Sequence, residues 1–139
     1  MKSPIYLILI LMLCLNVHAA DWDTSETIRT SGGELHYRVS GTGKPLLLLH
    51  GYSGYGEQWR NFLDEFANSY RVIAVDLPGH GQSSKLRGSF VISDVARDMW
   101  QLMDLLGVKQ IYGVGYSAGG MTLLQMALQE PSRVKSLVL

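Results

Sequence analysis

The sequence switches repeatedly between two hydrophobic periods, and that alternation limits the folds open to it. Leu46 to Leu49 is a continuous apolar run, the pattern of a strand covered on both faces. Trp59, Phe62, Leu63 and Phe66 then recur at i, i+3, i+4 and i+7, which predicts one helical stripe. Arg71 to Val75 reads as another buried strand. Val95, Met99, Leu102, Met103 and Leu106 form the next stripe, with Ser93 or Asp94 as its cap and Gly107 as its end. Gln110 to Val114 is a strand. Ala118 to Glu130 is a helix with Met121, Leu124 and Leu128 on one face, stopped by Pro131, and Val134 to Leu139 is a last apolar strand. Ahead of these lie a short strand, Thr27 to Thr30, a Ser31-Gly32-Gly33 turn, and Glu34 to Ser40. The last alternates, with Leu35, Tyr37 and Val39 on one face, and predicts a half-buried strand. Strands alternating with helices imply an α/β class: right-handed crossovers and a mostly parallel sheet with helices on both faces. The opening hairpin adds an antiparallel edge.

Composition narrows the function classes. The chain has 139 residues, 47% hydrophobic and 17% charged, which argues against intrinsic disorder. Twelve Lys and Arg against twelve Asp and Glu leave no basic excess for neutralising phosphates, and the basic residues are scattered, so no nucleic-acid partner is expected. No H-x-x-x-H pattern or clustered carboxylate set points to a metal, so none is expected.

Residues 1–20 read as a secretory signal peptide rather than as part of the fold. Lys2 gives a positive start, Ile5 to Leu15 is an apolar run of eleven residues, and small residues follow. The favoured cut is after Ala19, with Ala20 as the alternative. Eleven residues are too few for a membrane span of about 20. The competing readings are an uncleaved N-terminal anchor and, given Leu13 ahead of Cys14, a poorly matched lipoprotein site. Cys14 is the only cysteine and would leave with the signal, so the mature chain would hold no thiol or disulfide. The expected organisation is a signal peptide over 1–20 and one folded unit over 21–139, secreted or periplasmic, with 11 basic against 12 acidic residues.

Gly115-Tyr116-Ser117-Ala118-Gly119 is a G-x-S-x-G motif between a predicted strand and a predicted helix. A tight strand-to-helix turn there would hold Ser117 in a strained conformation with its hydroxyl projecting. Gly115 and Gly119 fit because the turn crowds the positions two before and two after the serine. The helix N-terminus offers unpaired N–H groups to a developing anion. The alternative is that Ser117 merely caps the helix. His50-Gly51 ends the strand Leu46 to Leu49. Gly51 permits a sharp turn, after which the N–H of Tyr52 can serve as one oxyanion donor and that of Ala118 as the second. His50 reads as a loop organiser satisfied by nearby backbone rather than as a base. Asp76, opening Asp76-Leu77-Pro78-Gly79-His80-Gly81-Gln82-Ser83, can accept N–H bonds from that glycine-rich turn and fix it. Tyr52, Tyr55 and Tyr116 are candidates for lining an apolar acyl or aryl pocket.

Together, the Leu run ending in His50-Gly51, the Asp76-x-Pro78-Gly79-His80-Gly81-x-Ser83 segment and Gly115-Tyr116-Ser117-Ala118-Gly119-Gly120 resemble the α/β-hydrolase fold superfamily. The similarity is to the branch holding esterases, enol-lactonases, carbon–carbon bond hydrolases and cofactor-free peroxidases, and it runs from about Thr27 to Leu139. It implies that Ser117 is a nucleophile acting on a carboxylic ester or related acyl bond of a small molecule, with no cofactor. The branches with an aspartate nucleophile, haloalkane dehalogenases and many epoxide hydrolases, fit less well because Ser117 occupies that position.

The family's order is nucleophile, acid, histidine, and no residue after Ser117 supplies the last two. His36, His50 and His80 all precede it. The expectation is therefore the N-terminal half of a serine hydrolase, truncated after the strand following the nucleophile helix and inactive alone. The alternative is a non-catalytic ligand binder on the same fold. A dinucleotide-binding reading of Gly113-Val114-Gly115-Tyr116-Ser117-Ala118 fails for want of an acidic residue after the next strand. Oligomeric state is not legible. N-terminal sequencing of exported protein is expected to return a mature chain beginning at Ala20 or Asp21; a start at Met1 would contradict the leader assignment.

Overall fold

The computed structural model describes residues 21–85 and 88–139; the leader assigned to 1–20 lies outside them. Six strands form one sheet in the order β1-β2-β4-β3-β5-β6. They are β1 Thr24–Arg29, β2 Glu34–Ser40, β3 Lys44–Leu49, β4 Tyr70–Val75, β5 Ile111–Gly115 and β6 Val134–Val138. β1 and β2 form the antiparallel edge, with β2 also antiparallel to β4, and the β4-β3-β5-β6 set is parallel. The helices are α1 Leu63–Phe66, α2 Ile92–Leu105 and α3 Ala118–Gln129.

β3 shows why four leucines in a row belong in the middle of this sheet. Strand side chains alternate between faces. Leu47 and Leu49 join Ile73, Val75, Leu35 and Tyr37 in the core that holds α2 and α3 residues such as Met99, Leu102 and Leu123. Leu46 and Leu48 join Val72, Ala74, Trp59 and Leu63 on the opposite face. The sheet is therefore covered on both sides.

Several local readings are corrected. β2 is not half-buried: every residue from Leu35 to Ser40 is buried, because charged side chains from distant segments cover the face carrying His36 and Arg38. The first strand begins earlier, at Thr24, and ends at Arg29. The Trp59–Phe66 stripe is not one helix. Gly56–Phe62 is a 3-10 segment and Leu63–Phe66 a single α turn, so Trp59 and Leu63 are buried while Phe62 is exposed. α2 starts at Ile92 behind Val91 with no side-chain cap; Asp94 sits in its first turn and pairs with Arg97. Gly107 does end that helix, at φ +70°, with its N–H donating to Asp104.

The largest correction concerns α3. Met121, Leu124 and Leu128 share the exposed face, while Ala118, Gly119, Thr122, Leu123 and Met126 are buried. The inward face is small at the helix start, where Ala118 and Gly119 approach backbone, and large further along, where Leu123 and Met126 enter the core. A Cβ on Gly119 would collide with the Leu49 carbonyl oxygen and lie 2.6 Å from that of His50. A larger residue at position 119 could not come that close. Leu123→Ala is expected to cost about 2–5 kcal/mol in urea unfolding, the range for emptying a packed core site, whereas Leu128→Ala, at a residue 77% exposed, should stay within about 0.5 kcal/mol. Equal losses at both positions would reverse this assignment of faces.

Candidate active site

The strand β5 ends at Gly115 and α3 begins at Ala118, so two residues make the whole turn. Ser117 has φ +52° and ψ −122°, the sole positive φ outside glycine among the described residues. Such a conformation costs on the order of 1–3 kcal/mol and persists only where surroundings enforce it. Here the enforcement is close packing. A Cβ on Gly115 would sit 2.9 Å from the Gly119 carbonyl carbon. Ser117 is exposed, and its side chain makes no capping hydrogen bond to the helix it precedes. Its carbonyl accepts from Met121 N–H instead.

The loop after β3 lies against this turn. A Cβ on Gly51 would stand 2.6 Å from the Tyr116 ring and 3.3 Å from the Ser117 Cβ, so only glycine lets the two segments touch. Among the described residues, neither the Tyr52 nor the Ala118 N–H donates to a carbonyl or side chain.

His50 is fully buried and organises this loop. The Leu77 N–H donates to its Nε2 at 2.9 Å, so that nitrogen carries the lone pair. The proton is then on Nδ1, which donates to the Gly51 carbonyl at 2.6 Å. Burial holds the imidazole below the usual histidine range. Both ring nitrogens are spent on backbone. His80 lies beside it, rings 5.2 Å apart, with Nδ1 facing the Pro78 carbonyl at 3.0 Å and Nε2 meeting the Tyr52 carbonyl.

Asp76 follows β4 and is completely buried. Its carboxylate accepts the Gly56 N–H at 2.5 Å and the Gln82 N–H at 2.9 Å. It also meets Arg38 Nη1 at 3.1 Å and His36 Nδ1 at 3.1 Å. Burial pushes its pKa up, but the two N–H donors and the Arg38 guanidinium outweigh that and hold it below the usual carboxylate range. Arg38 is itself shared with Glu57 at 3.1 Å. His36 sits below the usual histidine range because burial and then Arg38 disfavour its charge. Ser25 Oγ lies 3.0 Å from its Nε2. Asp76 thus ties the 79–82 turn, the start of the 3-10 segment and β2 to one point.

The family signature described as alpha/beta hydrolase fold matches residues 44–139. The chain belongs to this family. It is 37% identical over 102 residues to the dihydrolipoyllysine-residue acetyltransferase component of an acetoin cleaving system from Cupriavidus necator, covering 73% of this chain and 27% of that protein. Against epoxide hydrolase 4 of Mus musculus it is 34% identical over 129 residues, 90% of this chain and 36% of that one. Naproxen esterase from Bacillus subtilis superimposes with a TM-score of 0.77 at 32% identity, over 82% of this chain and 41% of the esterase. The chain therefore spans roughly a quarter to two-fifths of the length of these relatives.

In this α/β hydrolase the three candidate pocket tyrosines separate. Tyr55 and Tyr116 line an open cleft of about 480 Å³ with Trp59 and Phe62, next to the Ser117 turn. Tyr52 does not; its ring packs edge-on against His80 and Phe90 instead. A second cleft of about 500 Å³ lies over Arg38, Glu57 and Asp76 and is walled by Asp21 and Trp22. Trp22 Nε1 donates to Glu57 at 2.8 Å and Arg60 pairs with Asp21 at 2.8 Å. Among the described residues no group of three or more His, Cys, Asp or Glu is placed to hold a metal ion, and no helix is long and apolar enough to cross a membrane.

Sequence reasoning missed Arg38, His36, Glu57 and Gln58. The one available signal was parity: the alternation that buries Leu35, Tyr37 and Val39 puts His36, Arg38 and Ser40 together on the other face. Asp76, the partner of His36 and Arg38, lies about 40 residues away, beyond any local pattern.

The buried groups give stability a definite pH dependence. His36 and His50 are held neutral, so below about pH 6.5 the unfolded chain binds protons that the folded chain refuses, and stability falls. Asp76, depressed in the fold, contributes stability above its ordinary carboxylate range that is lost as pH falls through its folded value. Urea midpoints are expected to drop from pH 7 to pH 5, and His50→Gln, a neutral donor–acceptor, should flatten that slope by up to about 1.4 kcal/mol per pH unit. An unchanged slope would show that His50 titrates normally in the fold.

Proposed function

We propose that this chain carries the nucleophile and oxyanion hole of a serine hydrolase acting on a carboxylic ester or related acyl bond of a small molecule. The observation that carries the reading is the backbone of Ser117: a positive φ at a non-glycine residue, with an exposed hydroxyl left out of helix capping. Strain of this kind has no structural use for the helix, whose first turn is already bonded through the Tyr116 and Ser117 carbonyls. It does aim a hydroxyl out of the turn.

In the proposed step the Ser117 oxygen attacks the acyl carbonyl carbon while a general base takes its proton. The carbonyl oxygen becomes the oxyanion, held by the N–H groups of Tyr52 and Ala118, with the positive end of the α3 dipole beneath it. Collapse of the tetrahedral intermediate expels the alcohol and leaves an acyl-Ser117 ester, which water then cleaves. The base would come from outside the described residues. His36, His50 and His80 all face other partners, and none is hydrogen-bonded to Ser117. Serine rather than aspartate at this position favours acyl transfer over the opening of an epoxide by a carboxylate. The same absence of a base favours a second reading for residues 21–139 taken alone: a folded half-site that binds without turnover. The leader-like residues 1–20 support a secreted or periplasmic protein in this reading, with an N-terminal membrane anchor as the alternative.

The test compares p-nitrophenyl ester hydrolysis by the 139-residue chain, the full-length gene product and the Ser117→Ala form of each. The full-length protein should be active and its Ser117→Ala variant dead. The short chain should barely differ from its own Ser117→Ala variant, since a hydrolase stripped of triad members retains only about 10³–10⁴ over water from its hole and binding. Robust Ser117-dependent turnover by the short chain would make His50 or His80 a base. Full activity after Ser117→Ala would end the serine reading.

A further inference from the structure

We propose that Gln58 and Tyr116 form a clasp that sets the distance between the Tyr52 loop and the Ser117 turn, and that both are positioning residues for the oxyanion hole. The inference rests on the serine hydrolase reading and assigns a role within that same site.

Gln58 lies in the 3-10 segment, outside both the loop and the turn. Its Oε1 accepts the Tyr116 hydroxyl at 3.0 Å, which is the reach from the residue immediately before the serine. The same oxygen faces the Tyr55 N–H at 3.4 Å, and the Gln58 N–H donates to the Tyr55 carbonyl at 3.2 Å. The amide also fills the space over Gly54: a Cβ there would stand 2.5 Å from Gln58 Oε1 and 2.9 Å from the His50 Cβ. One side chain is thus bonded to the far end of the 51–55 loop and to the tyrosine of the turn.

Tyr116 completes the clasp. Its ring passes over Gly51 closely enough that no side chain fits between them, and it packs edge-on against Trp59 at 6.0 Å between centroids. With its hydroxyl bonded to Gln58 and its ring against Trp59, Tyr116 lies over Gly51, and the next N–H, that of Tyr52, is the proposed donor. His50 and His80 hold the other side of the same loop, through the carbonyls of Gly51 and Tyr52. A loop gripped from both sides keeps its donor fixed relative to Ser117, and oxyanion stabilisation depends on such preorganisation. Tyr116 and Gln58 are both solvent-exposed, so their bond has the modest net strength of an ordinary exposed hydrogen bond. Its loss should move the donor without unfolding the site.

The experiment uses the full-length protein with Tyr116→Phe, Gln58→Met and the double variant, all nearly isosteric. Each single variant is expected to lower kcat about threefold to tenfold with KM unchanged, short of the ~10²–10³ cost of deleting a hole donor. The double variant should be no worse than either single, because both remove the same bond. Affinity for phenylboronic acid, which forms a tetrahedral adduct on a nucleophilic serine, should fall by the same factor as kcat, with Tm unchanged. Unchanged kcat in both single variants overturns the clasp, as do additive losses in the double variant or a loss confined to KM or Tm. Failure of the serine reading shows separately, as activity surviving Ser117→Ala.

Discussion

Everything that positions the site depends on how closely the N-terminus of α3 approaches the end of β3. Gly119 sits where a methyl group would strike the Leu49 carbonyl, and this contact fixes helix to strand without any side chain between them. Because the helix starts so close, β5 must turn into it within two residues, and Ser117 takes up the positive φ that such a turn demands. For the same reason the loop after Leu49 lies against Tyr116 and Ser117 rather than over solvent. One steric fact produces the strained serine, the small residues at the start of α3 and the juxtaposition of two candidate oxyanion donors.

The second constraint is electrostatic and works from the opposite side. A buried carboxylate is costly unless paired and hydrogen-bonded. Asp76 is given two backbone N–H groups and the Arg38 guanidinium, while His36 contributes an uncharged contact. Those N–H donors come from the 3-10 segment and the 79–82 turn, the two pieces of irregular chain that flank the Tyr52 loop. Arg38 in turn passes the charge to Glu57, which also binds Trp22. Such a network adds little net stability over an apolar replacement, but removing one member strands a buried charge. Its consequence is to tie these loops together at one buried point, beside the hydrophobic anchors Leu77 and Trp59.

How much of this could be read from sequence follows from which forces are local. The buried strands were legible because β3 and β4 need apolar side chains on both faces, and four leucines leave no other reading. The turn at Ser117 was legible because G-x-S-x-G between a strand and a helix has few other uses. The buried face of α3 is not legible because a search for large apolar residues cannot see that Gly119 faces the Leu49 and His50 carbonyls. The alternation in β2 reads as half-buried because its covering layer is built from Asp76 and Glu57, which only the folded chain brings to Arg38. The stripe from Trp59 to Phe66 has helical spacing, yet its first part is wound as a 3-10 segment that carries Gly56 to the Asp76 carboxylate. In each case tertiary contact overrode a correct local pattern.

The similarities to other proteins bear on scaffold more than on chemistry. Proteins named an acetyltransferase component, an epoxide hydrolase and an esterase all align with this chain at 32–37% identity. A fold shared across such names does not select a reaction; the side chains of a site do, and the one at the turn is a candidate. Here that residue is a serine, a weak nucleophile until a base takes its proton. The histidines present among the described residues are spent on architecture. His50 is locked in one tautomer between Gly51 and Leu77, His36 between Ser25 and Asp76, and His80 against two carbonyls. Freeing His50 or His80 would release the loop it holds, and freeing His36 would remove a contact from the buried Asp76. On the proposed serine hydrolase reading, the histidines that brace the candidate oxyanion loop are not also the base, and a division of labour would follow: this part of the fold would preorganise nucleophile and anion site, with proton transfer brought to it.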